Sequence, residues 1–445
     1  MGRRKAWLAG LMMMVLGAAL PASARDEVRN VIFMIGDGMG PAYLTAYRYA
    51  LAGEPGGAIA PTIFDQLLVG SASTYPMDDT FVTDSAAAAT ALATGVKSYN
   101  GAIGVDNNQV PLRSILEQAR LLGKSTGVVT TSQVNHATPA SFLANVKRRS
   151  LYDAIAEQYV HKRIADKTML DLMFGGGERY FSRAPGGLAL QLREMGWQQA
   201  WEMAELEQLE RLPAMALMAE VALPHAIDSA HPDRLLRMTD KALALLSSQP
   251  NGFFLMVEGS QIDWCGHAND IRCALGEMAD FAKAVERAKA FVEENPDTLL
   301  VITADHSTGG LTLGAGGTYQ WLPGPILQVE RTAGYIARKM LEAPESPVEA
   351  VWSRYASLPL SSQELAMLAL ARKAQLDGEG PYHLSSRIGQ LVAKRSFTGW
   401  TTSGHTGEDV SVMAYGEGAD TFIGFQDNAD IARKIMSLLG EAQRP

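Results

Sequence analysis

The chain has 445 residues, a formal net charge of -9 and only two cysteines. That length fits one large α/β domain with insertions, or two to three smaller domains. The acidic balance argues against a nucleic-acid-binding partner, but not against anionic substrates, because bound cations invert a local field.

Residues 1–24 read as a cleavable signal peptide. Arg3, Arg4 and Lys5 precede an apolar run from Ala6 to Leu20, and Ala22-Ser23-Ala24 forms a small-residue cleavage site. The run is shorter than the roughly 20 residues that span a bilayer, and no second long apolar run follows. The mature chain, residues 25–445, is therefore expected in the periplasm or secreted, without a stable membrane span. Loss of the three leader cations takes its formal charge from -9 to -12.

Val28–Ile35, Val128–Thr131, Phe253–Val257 and Leu299–Thr303 are short β-rich apolar runs without alternation, as expected of strands buried on both faces. Helical patterns lie between them at Ser85–Leu92, Leu112–Leu122, Ala140–Arg149, Arg234–Ser247 and Leu275–Glu293. This alternation predicts an α/β three-layer sandwich, with a large, mostly parallel central sheet flanked by helices. The polar residues gather at the carboxyl ends of the strands, where such sheets place their sites. Glu202–Ala222, rich in Met, Leu and Glu, reads as helical. Leu311–Pro381 differs from its surroundings and reads as an insertion, bounded at 311–395. Helices are expected in it around Ala333–Leu341 and Gln363–Ala374, and its role would be to cap the site or offer a partner surface.

The residues that carry chemistry sit at the ends of these elements. Asp37 lies between Gly36 and Gly38, which allow a tight turn and close approach of a ligand. Ser85 opens an alanine-rich helix; it or Asp84 would cap that helix, and the positive end of the backbone dipole would also favour an alkoxide or phosphate there. Asp263 and His267, at i and i+4, face the same way on a helical turn, five and nine residues after Glu258. Asp305 and His306 follow a strand, and His405 lies between Gly404 and Thr406. Imidazole and carboxylate donors together suit Zn²⁺, and oxygen-only sets suit Mg²⁺. Cys265 and Cys273 either pair in an oxidising compartment or remain two thiols.

In order along the chain, IGDGMG, TDSAAAAT, HATPA, VEGSQIDWCGH, TADHS and SGHTG resemble the motifs of secreted bacterial alkaline phosphatases. The resemblance runs from Val28 to about Phe425. It implies hydrolysis of phosphate monoesters through a phosphoserine on Ser85, two zinc ions and one magnesium per chain, a homodimer, and a crown-like character for the insertion. Asp37, Asp305 and His306 resemble the ligands of the zinc that activates the serine. Asp263, His267 and His405 resemble those of a second zinc that activates water. Asp37, Thr138 and Glu258 resemble those of the magnesium. Arg149 matches the phosphate-clamping arginine, although Lys147 and Arg148 stand beside it and a solvated basic helix end is the plain reading of the three.

Two positions depart from the enterobacterial members, which have aspartate and lysine where this chain has His136 and Trp264. The resemblance makes His136 either a direct ligand at the magnesium position or the holder of a water there. Trp264 removes a cation from the phosphate's surroundings. A sulfatase of the same superfamily would need Pro and Arg two and four residues after its nucleophile, where this chain has Ala87 and Ala89. A phosphodiesterase, or a non-catalytic exported protein that binds phosphate or metal, would have less use for the whole set of Ser85, Thr138, Arg149 and Glu258.

Overall fold

The computed structural model describes residues 28–164, 166–378, 380 and 383–440. The expected signal peptide lies outside the described residues. Ten strands form one sheet: β1 (Asn30–Gly36), β2 (Leu68–Ser73), β3 (Ser125–Gln133), β4 (Leu172–Gly176), β5 (Gln198–Ala200), β6 (Ala214–Leu217), β7 (Phe253–Gly259), β8 (Thr298–Ala304), β9 (Val410–Gly416) and β10 (Gly424–Asp427). Their spatial order is β10-β2-β9-β8-β1-β7-β3-β4-β6-β5. Only β9 runs antiparallel to its neighbours, so the sheet is mixed but mostly parallel.

Ten helices matter for the site and its support: α1 (Pro41–Ala52), α2 (Ser85–Thr94), α3 (Ala137–Ser141), α4 (Arg234–Leu246), α5 (Gln261–His267), α6 (Ile271–Glu294), α7 (Ala333–Glu342), α8 (Ser362–Leu376), α9 (His383–Ser396) and α10 (Asn428–Leu439). Helices α1, α4 and α6 pack together on one side of the sheet, and α2, α3 and α10 on the other. This is the three-layer α/β sandwich expected from the sequence. The middle strands β1, β7 and β8 are buried at every residue. Covered on both faces by helices, they gain nothing from polar alternation.

The parallel register sets the site. Gly36 pairs with Ala304 on one side and Gly259 on the other, and Thr130 pairs with Glu258. The residues that leave these strands, Asp37, Glu258 and Asp305, therefore emerge side by side.

Two sequence expectations are corrected. Glu202–Ala222 is not one helix. It holds a single turn at Met203–Leu206 and then β6, whose four residues are buried beside β4. Pro213 cannot continue a helix, and burial in the sheet overrides the helical preference of Ala, Met and Leu. Ala140–Arg149 is not a helix either. Helix α3 stops at Ser141, Val146 bridges to Ile103, and the Arg149 amide donates to Gly101 at 2.8 Å. The helical expectations near Ala333 and Gln363 hold as α7 and α8, which pack with α9.

Among the described residues, no helix is long and apolar enough to cross a membrane. Cys265 and Cys273 are bonded as a disulfide.

Candidate active site and metal centre

Tight turns bring the carboxylates together. Gly38 takes φ +72°, and a Cβ on it would fall 2.7 Å from the Asp263 Cα and from Thr308 Oγ1, so the turn after Asp37 needs glycine. Asp305 Oδ1 accepts from the Gly38 amide at 3.0 Å and from the His306 amide at 2.9 Å. Its Oδ2 is left facing His306 Nε2 at 3.2 Å. Asp37 Oδ1 lies 3.5 Å from the same nitrogen, and its Oδ2 accepts from Thr138 Oγ1 at 3.4 Å. Glu258 Oε2 accepts from Thr130 Oγ1.

Each of the three histidines has its Nδ1–H committed. His405 Nδ1 donates to the Thr83 carbonyl at 2.8 Å, and His267 Nδ1 to the Ser403 carbonyl at 2.6 Å. His306 Nδ1 donates to Thr308 Oγ1 at 3.3 Å, and that hydroxyl donates onward to Asp263 Oδ1 at 2.5 Å. Such partners fix ring and tautomer, so every Nε2 turns a lone pair into the cluster. His405 Nε2 and His267 Nε2 face each other at 3.1 Å. Asp263 stands beside both, with Oδ2 3.3 Å from His267 and Oδ1 3.5 Å from His405.

This donor set fits divalent cations. Asp37 Oδ1, Asp305 Oδ2, Glu258 Oε1 and His136 Nδ1 are buried without hydrogen-bond partners, a costly arrangement unless a ligand satisfies them. Among the described residues, three groups within this donor set have ligand atoms within 4.8 Å of one another: Asp263–His267–His405, Asp37–Asp263–His306 and Asp37–His136–Glu258. Burial raises the affinity of Asp37 for its proton, and the neighbouring Asp305, Asp263 and Glu258 carboxylates add to it. Burial likewise lifts Asp305 to about 7 and raises Glu258. Burial works against the Asp263 charge too, but the close approach of the His267 and His405 rings holds its carboxyl well below the usual range. Cations at these positions would relieve the mutual repulsion.

Ser85 is the first residue of α2, and Asp84 is its cap: Asp84 Oδ1 accepts from the Ala87 amide at 2.9 Å. Ser85 Oγ is buried and lies 3.2 Å from His306 Nε2, beside the carboxylate cluster and at the positive end of the helix. Arg149 turns inward, its Nη1 donating to Asp84 Oδ2 at 3.0 Å and its Nη2 standing 3.3 Å from His136 Nε2. Lys147 and Arg148 are exposed. The His136 ring meets the edge of Trp264 at 5.9 Å and stacks near Tyr152 at 6.5 Å. Burial, reinforced by the Arg149 charge, pushes its pKa down to about 3, so the ring is neutral.

All the residues singled out in the sequence thus converge. What the sequence reading missed were their supports. Thr308, two residues beyond His306, links His306 to Asp263. Asp84, seen only as a cap, also holds Arg149. A cavity of about 770 Å³ near Tyr49, Ile59, Tyr319 and Trp321 shares none of these residues.

Carboxylates and imidazoles gathered around a hydroxyl at the ends of parallel strands make a site suited to hold cations beside a nucleophile. The family profile described as alkaline phosphatase matches residues 28–440. Alkaline phosphatase 3 of Bacillus subtilis is 41% identical over 422 residues, spanning 93% of this chain and 90% of that protein. The crystal structure of a cold-active alkaline phosphatase from a psychrophilic Shewanella is 46% identical, with a TM-score of 0.86, and covers 93% of this chain and 100% of its own. The alkaline phosphatase of the Antarctic bacterium TAB5 is 28% identical, with a TM-score of 0.68, over 93% of this chain and 98% of its own. Variants of that enzyme with one histidine replaced by Asp or Glu carry Mg in the site called M3. The chain belongs to the alkaline phosphatase family and is a phosphomonoester-hydrolysing enzyme.

Proposed function

We propose that this enzyme cleaves phosphate monoesters through a phosphoserine on Ser85, at a site that holds two zinc ions and one magnesium. The observation that carries the reading is the common direction of the His267, His306 and His405 Nε2 lone pairs, each fixed through Nδ1, toward a pocket of carboxylates beside Ser85 Oγ. Asp37, Asp305 and His306 would hold one zinc, and Asp263, His267 and His405 the other. Asp37, Thr138 and Glu258, with His136, would hold the magnesium. Bound there, the cations would lower the pKa of the serine hydroxyl and of water and neutralise the phosphoryl oxygens. The magnesium-bearing variants of the TAB5 enzyme support a histidine as the residue that tunes the third cation, a part His136 would play here.

The chain's own part is nucleophile and clamp. Arg149, braced by Asp84, offers two guanidinium N–H groups to two non-bridging phosphoryl oxygens. Ser85 Oγ bonds to phosphorus as the bond from phosphorus to the alcohol oxygen breaks, and the alcohol leaves. Water then attacks the phosphoserine from the vacated side, restoring the Ser85 hydroxyl and releasing phosphate. Two in-line displacements retain configuration at phosphorus. Trp264, in place of a cation, leaves product phosphate held more loosely.

The leader supports export to the periplasm or beyond. The segment 311–395, with α7, α8 and most of α9, is assigned as the crown-like insertion of a homodimer, since two-fold pairing is the commonest closed assembly. A single-chain mass by light scattering across micromolar concentrations would refute the dimer. Initial rates on mono- and bis-nitrophenyl phosphate, measured with the metal content, test the activity. A monoester preference with three metals per chain is expected, and a diester preference would overturn the reading.

A further inference from the structure

A second group of donors lies behind the catalytic cluster. Cys265 sits on α5 between Asp263 and His267 and is bonded to Cys273 in the first turn of α6. His225 Nδ1 stands 3.5 Å from Cys273 Sγ and 4.0 Å from Cys265 Sγ. The three donor atoms lie within 4.8 Å of one another. Both sulfurs belong to buried residues, whereas the His225 side chain is 30% exposed and forms the outer lip of the group. Glu277 Oε1 accepts from His225 Nδ1 at 3.3 Å and from the Ala226 amide at 2.8 Å, and its Oε2 accepts from Arg234 at 2.7 Å. The imidazole is thereby held against the sulfurs. Two sulfurs and one imidazole nitrogen are a soft donor set, unlike the oxygen and nitrogen donors of the catalytic cluster.

We propose that Cys265, Cys273 and His225 form a redox-gated site for a soft divalent cation of the zinc and cadmium class, closed while the disulfide is intact. A dithiol reductant supplies the two electrons and two protons. Its thiolate attacks one sulfur, the S–S bond breaks, and the reductant leaves as its own disulfide while the chain keeps two thiols. Cation binding then releases both thiol protons and the His225 Nδ1 proton to solvent, leaving the imidazole neutral with its remaining proton on Nε2. Two thiolates on a tetrahedral cation stand about 3.8 Å apart when each bond is about 2.3 Å. Rotation about the Cα–Cβ bonds reaches that spacing across a Cα–Cα separation of 5.4 Å. Because α5 carries Asp263 and His267, the gate decides whether this helix is joined to α6 by a covalent bond or by a cation.

The test compares holoenzyme, intact and after dithiol reduction and removal of the dithiol, each equilibrated with Cd²⁺. The reduced chain is expected to take up one more Cd²⁺ than the intact chain and to gain thiolate-to-cadmium charge-transfer absorption. Oxygen and nitrogen donors at the catalytic cluster give no such band, so the result does not depend on the metals proposed there. Cys273→Ser should abolish the extra uptake, and His225→Ala should weaken it at least about tenfold. Equal uptake by the two forms, extra uptake without the band, or uptake that survives in Cys273→Ser would overturn the proposal. If Cys273→Ser does not fold, the comparison of reduced with intact natural chain decides alone.

Discussion

His405 Nδ1 donates to the Thr83 carbonyl at 2.8 Å, joining a site histidine to the segment that ends in Asp84 and Ser85. The segment that presents the hydroxyl and the segment that presents the imidazole are thus placed by one bond. Asp84 extends the arrangement, capping α2 through one carboxylate oxygen and holding Arg149 through the other.

Arg149→Ala should therefore raise the inhibition constant of inorganic phosphate and the KM of substrate by about 10- to 100-fold, the loss expected for charged hydrogen bonds of about 1.5–3 kcal/mol. Asp84→Asn keeps an oxygen for the cap but loses the charge on Arg149, and should give a smaller rise. Equal phosphate inhibition of the Arg149 variant and the parent enzyme would make Arg149 a surface charge.

Thr308→Val keeps the side-chain shape but removes the hydroxyl between His306 Nδ1 and Asp263 Oδ1. Partners of this kind typically contribute 10- to 100-fold to metal affinity. Zinc release to a chelator should accelerate accordingly, and excess zinc should restore activity. Unchanged release would show that His306 and Asp263 orient without Thr308.

The contrast between Thr308 and Asp37 shows what was legible in the sequence. Asp37, Glu258 and Asp305 end apolar runs, so their place at the strand ends followed from pattern, and register did the rest. Thr308 carries no such mark, because a threonine two residues past a histidine becomes a brace only once α5 folds against it. Strand β6 was hidden for a related reason: Ala-Met-Ala-Leu favours a helix locally, and only pairing with β4 makes it a strand. Arg149 came with the family resemblance, but the helix expected to carry it is absent. A turn tied to Gly101 aims it inward instead.

His136→Asp should shift the third cation toward magnesium, because a carboxylate oxygen suits a hard cation better than imidazole does. Trp264→Lys should tighten phosphate below about pH 10, where lysine keeps its charge, and slow turnover if release is limiting. Titration of each variant with Mg²⁺ and phosphate checks both. Unchanged magnesium activation in the first and unchanged phosphate inhibition in the second would remove these residues from the tuning of the site.

Glu364 links α8 to α9 through two hydrogen bonds from Arg395, at 2.7 and 2.8 Å. Those bonds, aided by the Ser361 amide against partial burial, lower its pKa from 4.5 to about 2. A depressed carboxyl stabilises fully above its unfolded pKa, and the contribution is lost as pH falls through the folded value. Glu364→Gln should therefore lower the urea midpoint at about pH 6 and lose less than the parent between about pH 4.5 and 2. Parallel pH profiles for the two proteins would contradict this.

The central claim is that Ser85 carries the phosphoryl group. Incubation with labelled phosphate or substrate at acidic pH, followed by an acid quench and peptide mass spectrometry, tests it directly. The account predicts one phosphoryl group on the peptide containing Ser85, and none in Ser85→Ala, whose turnover should fall by at least about 10³-fold with its metal content intact. A fully active enzyme that shows no label on Ser85, or a Ser85→Ala variant that turns over at the parent rate, would contradict it.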